Sequence, residues 1–448
     1  MAIAPPVRWA FFPLDEQLGL RPKVGFTPKV EEGMARLGTW MPFRVAQHEL
    51  AFFLGVEVAE ASVRQLTEQA GAAQVQVQAA EVEALLKERP ESPAGPEVQL
   101  LSVDGALIQL VGGEWKEVKT LALGVVGKAR PKPGQEPRVQ TRALSYFSRM
   151  SEAEVFQQQA LGEVYRRGVE KATTVCAVSD GAEWIQKWVD YHRSTAVRIL
   201  DFAHALEYVS TAGQAAYEQL PLEQEEPAPS QQEQAKRRQE RFEGWLKAQA
   251  HELKTGEAAV VLAEVERLRT LMQQMGRQEA VKMIDKSLHY LRARQEMMRY
   301  AHFQAQGYPI GSGSVESAHK LVVQSRMKQA GMRWEPRHVD AMLAMRNLAC
   351  NGGWTEGWLT IRQRWQQQRQ TARALRAQAA RAAPAVAAVP LVPPDEALPS
   401  VSAGVQVLPA PSPVEPSASS ARVPILPRGS REAGTHCWQR PFLRRRSA

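Results

Sequence analysis

Apolar residues recur at helical spacing in two neighbouring segments near the start of the chain. Between residues 43 and 53 they fall on one face, after a proline that can open the first turn of a helix. Between residues 63 and 70 the pattern repeats, and Gly71 marks a stop. Since Gly55 separates the two segments, the pattern predicts two short helices joined by a glycine turn, with a helical linker after them, over residues 41–95.

Two helices around a glycine turn resemble a helix-turn-helix, in which the second helix enters the major groove of DNA. On that interpretation Arg64 and Gln65 point outward and contact DNA, and Thr67 and Gln69 also face out. An ordinary helical hairpin has the same pattern, so the pattern by itself leaves both interpretations open. The preceding residues 1–40 are rich in turn-forming Gly and Pro, and we expect them to be irregular.

The apolar repeat changes from helical to alternating near residue 96. It predicts one strand that reaches about Leu110 and a second strand from Glu117 to Val126. Gly112 and Gly113 lie between them and predict a tight turn. The two strands should therefore form a hairpin.

Strands and helices then alternate along the chain. Residues 144–171 are predicted to form a helix. The segments TTVCAVSDGAEW and AVRILDFAHALEYV share one plan, in which a short apolar strand ends at an aspartate and a helix follows. Because alternating strands and helices are typical of α/β sheets, we expect an α/β fold.

The last part of the chain divides into three segments that differ in amino-acid composition. Residues 205–306 are highly charged and predicted to be helical, and residues 307–383 begin with a Gly/Ser loop and continue as helices. Residues 384–448 hold 12 of the 29 prolines and end in an arginine-rich stretch. Such a segment cannot build a packed core, so it is predicted to be disordered.

The overall charge favours an anionic partner. Lys and Arg number 56 against 48 Asp and Glu, which gives a net charge of +8 and a pI near 9.4. A merely basic chain would look the same. The three cysteines are far apart, which argues against a disulfide framework or a cysteine zinc site. No signal peptide and no membrane-spanning run is recognised, so we expect a cytoplasmic protein with no membrane partner.

Three acidic residues lie where a carboxylate needs a partner. Asp104 follows the apolar run 100–103, Asp180 follows the apolar run 175–178, and Glu316 lies in a Gly/Ser turn that opens a helix. Burial of such charges is costly unless they are paired or bind a metal. Oxygen ligands favour Mg²⁺, or Mn²⁺ as the alternative, over zinc. Two such ions about 3.5–4 Å apart can activate a water or a 3′-hydroxyl and stabilise the leaving oxygen.

Each acidic residue also has an ordinary structural interpretation. Asp104 and Asp180 could be turn residues, and Glu316 could favour a helix N-terminus through the helix dipole. The prediction of a metal site depends on the three together. Asp201 also ends an apolar segment, so it competes with Asp180 for the second ligand position. We favour Asp180 because Gly181 lets the chain turn away sharply, whereas Asp201 precedes an apolar helix start that it could cap.

Several segments together resemble a known family. VDGA, SDGAEWI, ILDFAHALEYV and IGSGSVESAHKLVVQSRMKQAGMRW are similar to motifs of the DDE transposases of bacterial insertion sequences. The nearest likeness is to the Kra-type insertion-sequence group, whose opening resembles FFPLDEQLGLR, and a more distant likeness is to mutator-like transposases. The resemblance covers roughly residues 10–360. The tail has no counterpart in the family, and the chain lacks the cysteines of an N-terminal zinc domain.

The resemblance implies a fold and an activity. It implies a ribonuclease-H-like α/β core in two parts, 96–204 and 307–383, interrupted by a helical insertion at 205–306. It maps the catalytic and metal-binding triad onto Asp104, Asp180 and Glu316, with two Mg²⁺ ions as cofactors. It maps a looser accessory element onto Asp201 and His204, where a core or orienting role suits His204 better than metal binding. It implies transposon ends and target DNA as partners, a homodimer or higher oligomer on DNA, and a nucleoid-associated location.

Cationic and aromatic residues follow Glu316 and are candidates for DNA contacts. Lys320 lies four residues after Glu316 on a helix, so it shares a face with it, as does Gln324. Trp334 could stack on an unpaired base or instead pack against the core. The predicted DNA-contact set comprises Arg64, Gln65, Lys320, Arg326, Lys328, Arg333 and Trp334.

Two other functions remain open at this point. A ribonuclease-H-like nuclease would cleave DNA with the same carboxylates and would not join strands. A DNA-binding repressor would keep the acidic residues without using them. Products on a supercoiled donor separate the first from a transposase, and metal-dependent cleavage separates the second.

Overall fold

A computed structural model describes residues 26–128, 130–132, 135–221 and 230–382. The chain divides after Ala383, and all described residues lie before that point. The predictions made for residues 1–25 and for the tail at 384–448 fall outside the described residues.

Mixed sheet and helices make up the described chain, as the alternating pattern predicted. The strands are β1 Val98–Gln109, β2 Trp115–Val126, β3 Arg130–Lys132, β4 Gln135–Arg138, β5 Thr141–Arg149, β6 Thr174–Ser179 and β7 Val197–Leu200. Five of them form one sheet in the order β5-β2-β1-β6-β7, and β3 and β4 form a separate hairpin. Neighbours are antiparallel from β5 to β1 and parallel from β1 to β7.

The helices account for most of the remaining described residues. They are α1 Pro28–Trp40, α2 Phe43–Leu54, α3 Glu60–Glu88, α4 Ala153–Gln159, α5 Leu161–Arg166, α6 Glu183–Arg193, α7 Phe202–Tyr217, α8 Gln231–Thr255, α9 Ala258–Gln274, α10 Gln278–Arg292, α11 Tyr300–Ala305, α12 Gly313–Ala318, α13 Ser325–Met327, α14 Pro336–Cys350 and α15 Trp354–Ala382. A 3₁₀ turn at Gln295–Met298 precedes α11, and a π-helical turn at His319–Gln324 follows α12. The predicted helical character of residues 205–306 is confirmed for the part of that segment that the structure describes.

Helices cover both faces of the five-stranded sheet. Leu100 and Cys176 face one side, where they pack against α7 and the helices that follow it. Leu101 and Ala177 face the other side, where they pack with Phe156 of α4 and with α6. Successive side chains of a strand point to opposite faces of the sheet, and here both faces are covered. The sequences of β1 and β6 are therefore nearly continuous apolar runs.

The predicted β1–β2 hairpin is confirmed, and the strand after it corrects another prediction. Gly112 and Gly113 both have positive φ, at 95° and 92°, which glycine adopts readily. Residues 144–149, expected to begin a helix, instead belong to β5, which pairs antiparallel with β2. The helices start only at Ala153. Pairing with β2 makes this segment a strand, and the local spacing of apolar residues gives no information about that distant partner.

The amino-terminal region is more helical than expected. Pro28–Trp40 is a helix, not irregular chain, because Thr27 caps it and Pro28 occupies its first turn. The second predicted helix does not end at Gly71 but runs on to Glu88. A Cβ atom at Gly71 would lie 2.1 Å from the backbone oxygen of Ala341, so this glycine allows α3 and α14 to cross closely.

Some side chains of these helices also differ from their predicted positions. Phe53, expected on the inner face of α2, is exposed together with Phe52. Thr67, expected to face out, is buried and donates to the Val63 carbonyl oxygen. Among the helices that the structure describes, none is long and apolar enough to cross a membrane.

Candidate functional site

Asp104 lies in the middle of β1, opposite Thr120 of β2. Its Oδ1 accepts a hydrogen bond of 2.7 Å from the amide of Gly105, and the side chain is 40% exposed. A Cβ atom at Gly105 would lie 2.2 Å from the carboxylate of Glu117. The glycine therefore leaves room for a further carboxylate beside Asp104, one that the sequence analysis did not single out.

Asp180 follows β6 and turns the chain away from the sheet. Gly181 has a φ of 75°, which confirms the sharp glycine turn, and Asp180 Oδ1 accepts a 2.9 Å hydrogen bond from the amide of Ala182. Leu101 of β1 pairs with Ala177 of β6, and each aspartate comes three residues after its paired residue. Because β1 and β6 are adjacent and parallel, the two aspartates occupy neighbouring positions along the same direction of the sheet.

Glu316 is exposed on the short helix α12. The chain then passes into the π-helical turn, which carries the exposed Lys320 and Gln324. A π turn within a helix is rare and frequently lies at a functional site. In this turn the side chain of His319 is buried, on the side of β1.

The charges of these carboxylates act on each other. The pKa of Asp104 is raised to about 6, mainly by burial and to a smaller extent by the charges of Asp180, Glu117 and Glu316, against the hydrogen bond from Gly105 that lowers it. Asp180 and Glu316 therefore each lie within electrostatic reach of Asp104. No described cation pairs with Asp104, since its nearest basic group is the imidazole of His319.

This site fits a divalent cation in the chemistry of its donors but not in their spacing. Its donors are carboxylate oxygens, which Mg²⁺ and Mn²⁺ prefer, and a cation would offset the repulsion that raises the Asp104 pKa. Within the described ranges, however, no three Asp, Glu, His or Cys side chains stand together closely enough to hold a metal ion. The chemistry of the donors fits, whereas a three-ligand site would require the side chains to move closer.

His319 packs directly beneath Asp104 without forming an ion pair. Its Nδ1 is 3.6 Å from Oδ2 of Asp104, and burial lowers the pKa of the imidazole to about 4, so the ring is neutral at neutral pH. Its Nε2 has no hydrogen-bond partner among the described residues. The spacing of three residues after Glu316 was the only signal in the sequence that could have indicated this neighbour.

Asp201 is buried and engages backbone amides with both of its oxygens. Oδ1 accepts a 2.8 Å hydrogen bond from the amide of His204, which confirms the predicted N-cap of α7. Oδ2 accepts a 2.6 Å hydrogen bond from the amide of Ser312, at the start of the segment that carries Glu316. The imidazole of His204 lies near Glu207 rather than Asp201. Asp201 therefore ties the end of β7 to the Glu316 segment.

Two residues of the helical segment support the Asp180 turn. The hydroxyl of Tyr290 donates to the backbone oxygen of Asp180, and Arg294 Nε donates to the oxygen of Gly181 at 3.0 Å. Arg294 also stacks on the ring of Tyr290, 3.8 Å from its centroid. The sequence analysis missed both residues, because more than 100 positions separate them from Asp180 and no local pattern marks the contact.

The predicted DNA-contact residues after Glu316 divide into two groups. Lys320, Lys328 and Arg333 are exposed. Arg326 is only 1% exposed and Trp334 only 5%, and the indole of Trp334 donates to the backbone oxygen of Met327. In this conformation neither can touch a surface-bound phosphate or base, so for Trp334 the structure favours the packing interpretation.

A different tryptophan is available on the surface nearby. Trp115, at the start of β2, is 52% exposed, and Lys328 Nζ lies 5.9 Å from the centroid of its ring. Stacking on a base requires an accessible ring face. Trp115 meets that requirement, and no spacing in the sequence indicated it.

Arg64 and Gln65 are exposed on α3, as predicted. They line a groove of about 670 Å³ whose other wall contains Arg333. The structure thus brings together predicted residues that lie about 270 positions apart in the chain. The complete lining consists of Pro42, Phe43, Arg44, Glu60, Ala61, Arg64, Gln65, Glu68, Val111, Arg326, Met332, Arg333, Trp334, Glu335, Arg337 and His338.

No protein-family model matches the chain, and no curated protein matches it either. A functional assignment therefore starts from the carboxylates around Asp104 and from the basic groove.

Proposed function

We propose that this protein is a DDE-type DNA transposase of the bacterial insertion-sequence kind. The observation that carries the proposal is the electrostatic coupling of Asp104 to Asp180 and Glu316, which come from three distant parts of the chain. These are the residues onto which the family's motifs map. The mixed sheet, with Asp104 on β1 and Asp180 directly after the adjacent parallel strand β6, is compatible with a ribonuclease-H-like core.

The amino-terminal helices support a role in binding DNA. The αL conformation of Gly55 separates α2 from α3, and α3 presents Arg64 and Gln65 to solvent. We propose that α3 acts as the recognition helix of a helix-turn-helix-like region and that the exposed Lys320, Lys328 and Arg333 contact phosphates. Cations placed in this way bind DNA mainly through the release of counterions.

Each residue of the site has a separate task in the proposed chemistry. Asp104, Asp180 and Glu316 would hold Mg²⁺, which when bound supplies an activated oxygen nucleophile and stabilises the leaving oxygen. Asp201 holds the segment before Glu316 by its bond to Ser312, and Tyr290 holds the Asp180 turn. The protein thereby positions the phosphodiester for hydrolysis, and afterwards positions the freed 3′-hydroxyl for attack on target DNA.

The same chemistry implies the partners. Cleavage and joining must be coordinated between the two ends of an element, so we propose that two copies of the chain act together on DNA. The DNA products of a transposase differ from those of a nuclease. Joining creates a new phosphodiester bond to target DNA, whereas hydrolysis alone leaves nicks or free ends.

The test uses a supercoiled plasmid that carries the gene with its native flanking DNA. Purified full-length protein with Mg²⁺ should release or nick the element at its boundaries and join it to a second plasmid. Glu316→Gln should abolish both products and leave binding of the flanking DNA intact. Glu183→Gln is the matched control, since Glu183 is an exposed carboxylate three residues after Asp180 that pairs with Lys187.

The possible outcomes separate the proposal from its rivals. Nicks without joined products would indicate a nuclease. Binding of the flanking DNA with no Mg²⁺-dependent cleavage would indicate a repressor. Loss of activity in Glu183→Gln equal to that in Glu316→Gln would show that general loss of acidic charge, and not the proposed triad, explains the effect.

A further inference from the structure

The groove between α3 and α14 contains more arginines than acidic residues. Four exposed arginines line it: Arg44 on α2, Arg64 on α3, Arg333 in the loop before α14 and Arg337 on α14. Within the part of the chain that the structure describes, none of the four makes an ion pair or a side-chain hydrogen bond. Three glutamates also line the groove, and one of them, Glu68, pairs with His338 at 3.4 Å.

A fifth arginine, Arg326, lines the groove from within the core. Its Nε donates to the backbone oxygen of Gly38 at 3.0 Å, and its guanidinium lies over the rings of Phe43 and Trp334, at 4.6 and 5.1 Å. Its Nη2 has no hydrogen-bond partner, and no described carboxylate forms an ion pair with it. A guanidinium with a purely structural role would normally have its donors satisfied.

The charge on Arg326 persists despite its burial. Burial and the neighbouring Arg346 lower its pKa to about 10, which still leaves it protonated at neutral pH. Arg346 is equally buried and bonds only to backbone oxygens and a serine hydroxyl. Two buried positive charges without a counter-charge destabilise the fold, and an anion bound in the groove would offset that cost.

The groove is distinct from the carboxylate site. Val111, which lines the groove, follows Asp104 by seven residues along β1 and its turn. At about 3.3 Å per strand residue, these seven residues span at most about 23 Å, which corresponds to about seven base pairs of duplex DNA.

We propose that this groove binds the sugar-phosphate backbone of duplex DNA within about seven base pairs of the carboxylates. The proposal rests on the proposed function, since it places a second anchor on the same DNA. Arginine suits this task because its planar guanidinium matches a phosphate with two parallel hydrogen bonds. A phosphate beside Arg64 and Arg333 would not touch Arg326, but its charge would lower the electrostatic cost of the buried guanidinium.

The test measures DNA binding by the full chain without divalent ions, so that cleavage does not interfere. The probe is a fluorescein-labelled duplex of about 30 base pairs, titrated by anisotropy between about 50 and 200 mM KCl. The variant Arg333→Ala/Arg337→Ala removes two exposed groove charges without touching the core. The control Arg277→Ala/Arg376→Ala removes two exposed arginines outside the groove, so the net charge of the two variants is equal.

The groove variant should bind about tenfold or more weakly near 100 mM salt, and the slope of log K against log salt should shrink by about 1.8. The control should keep a slope close to that of the wild type. Equal slopes for the two variants, with the wild type binding well, would overturn the groove proposal and leave the proposed function standing. Failure of the wild type to bind the duplex, or native flanking DNA, would overturn both.

Discussion

The carboxylate site and the basic groove are opposite in charge and alike in physical design. Around Asp104 the protein gathers acidic groups. Lys119 pairs with Glu117 at 2.8 Å, whereas no described lysine or arginine pairs with Asp104 itself. In the groove it gathers arginines, and the buried Arg326 has no described carboxylate partner. Burial raises the pKa of Asp104 and lowers that of Arg326, so in both cases the folded protein disfavours the charged form. A ligand of opposite charge would therefore lower the cost of the charged form of Asp104 in one region and of Arg326 in the other.

The two regions differ in how the charges are held in place. Backbone amides and glycine turns position the acidic groups, as at Asp180 and Gly181. Packing positions the basic groups, since α3 and α14 cross closely at Gly71 and aromatic rings flank Arg326. The comparison predicts that the acidic site tolerates loss of helix packing better than the groove does.

The largest expected effect is a loss of DNA cleavage, which should be much greater when Asp180 is replaced than when Asp201 is replaced. Asp180→Asn removes a charge from the proposed metal site and should lower Mg²⁺-dependent nicking of the element's end about 1000-fold or more. Asp201→Asn keeps one acceptor oxygen for the cap and loses the bond to Ser312, so activity should fall only about 10- to 100-fold. Nicking of a labelled end measures both.

Melting curves accompany this comparison, because loss of folding would mimic loss of chemistry. Asp180→Asn should keep its melting temperature, whereas Asp201→Asn should lose stability with the Ser312 bond. A folded but inactive Asp201→Asn beside a normally active Asp180→Asn would show that Asp201, not Asp180, is the second ligand.

The next effect concerns the helix crossing beneath the groove. Gly71→Ala places a Cβ atom 2.1 Å from the backbone oxygen of Ala341, so α3 and α14 must separate. We expect a loss of about 1–3 kcal/mol in the free energy of unfolding, measured by urea denaturation. Gly244→Ala is the control, since this exposed helical glycine has no atom within 4 Å of the new Cβ, and alanine should stabilise it by about 0.5–1 kcal/mol. Equal effects of the two substitutions would contradict the close crossing.

The smallest effect concerns the pH dependence of the acidic site. The Asp104 pKa of about 6 lies above its ordinary value of 3.8, so the folded protein binds this proton more tightly than the unfolded chain does. The cost of ionising Asp104 therefore develops as pH rises from about 4 to 6 and is fully present above 6. In EDTA, Asp104→Asn should raise the melting temperature by about 2 °C at pH 7.5 and less at pH 5. A gain that does not change with pH would mean that burial and the neighbouring carboxylates do not raise the pKa of Asp104 in the folded protein.

Much of the acidic site could be predicted because its signals are local. Apolar runs of a few residues predict β6 and β7, and the aspartates that follow them mark strand ends, so Asp180 and Asp201 were both identified from neighbouring residues. Glycine at 181 predicted the turn for the same reason. What local patterns could not indicate was that Asp201 bonds to Ser312, or that Glu117 fits beside Asp104 over Gly105.

The basic groove could not be predicted because it is assembled from distant segments. Arg64 and Arg333 were singled out separately, and nothing in the sequence indicated that α14 would cross α3 and bring them together. The same lack of long-range information explains the error at Gly71, taken as a helix end. It also explains why the sequence left two interpretations open for Trp334, which pairs with Leu110 just after β1. Burial of an arginine such as Arg326 contradicts its ordinary preference, so composition points the wrong way.

The hydrogen bond from the amide of Phe202 to the oxygen of Ile310, at 2.9 Å, has a consequence for how such a chain can evolve. The helical segment between Phe202 and Ile310 therefore begins and ends at the same place, next to the end of β7. Helices can be gained, lost or exchanged within this segment without a change in the path of the chain at either end. Selection could thus vary the size of this module while Glu316 stays beside β1, provided that some residue replaces Tyr290 in supporting the Asp180 turn.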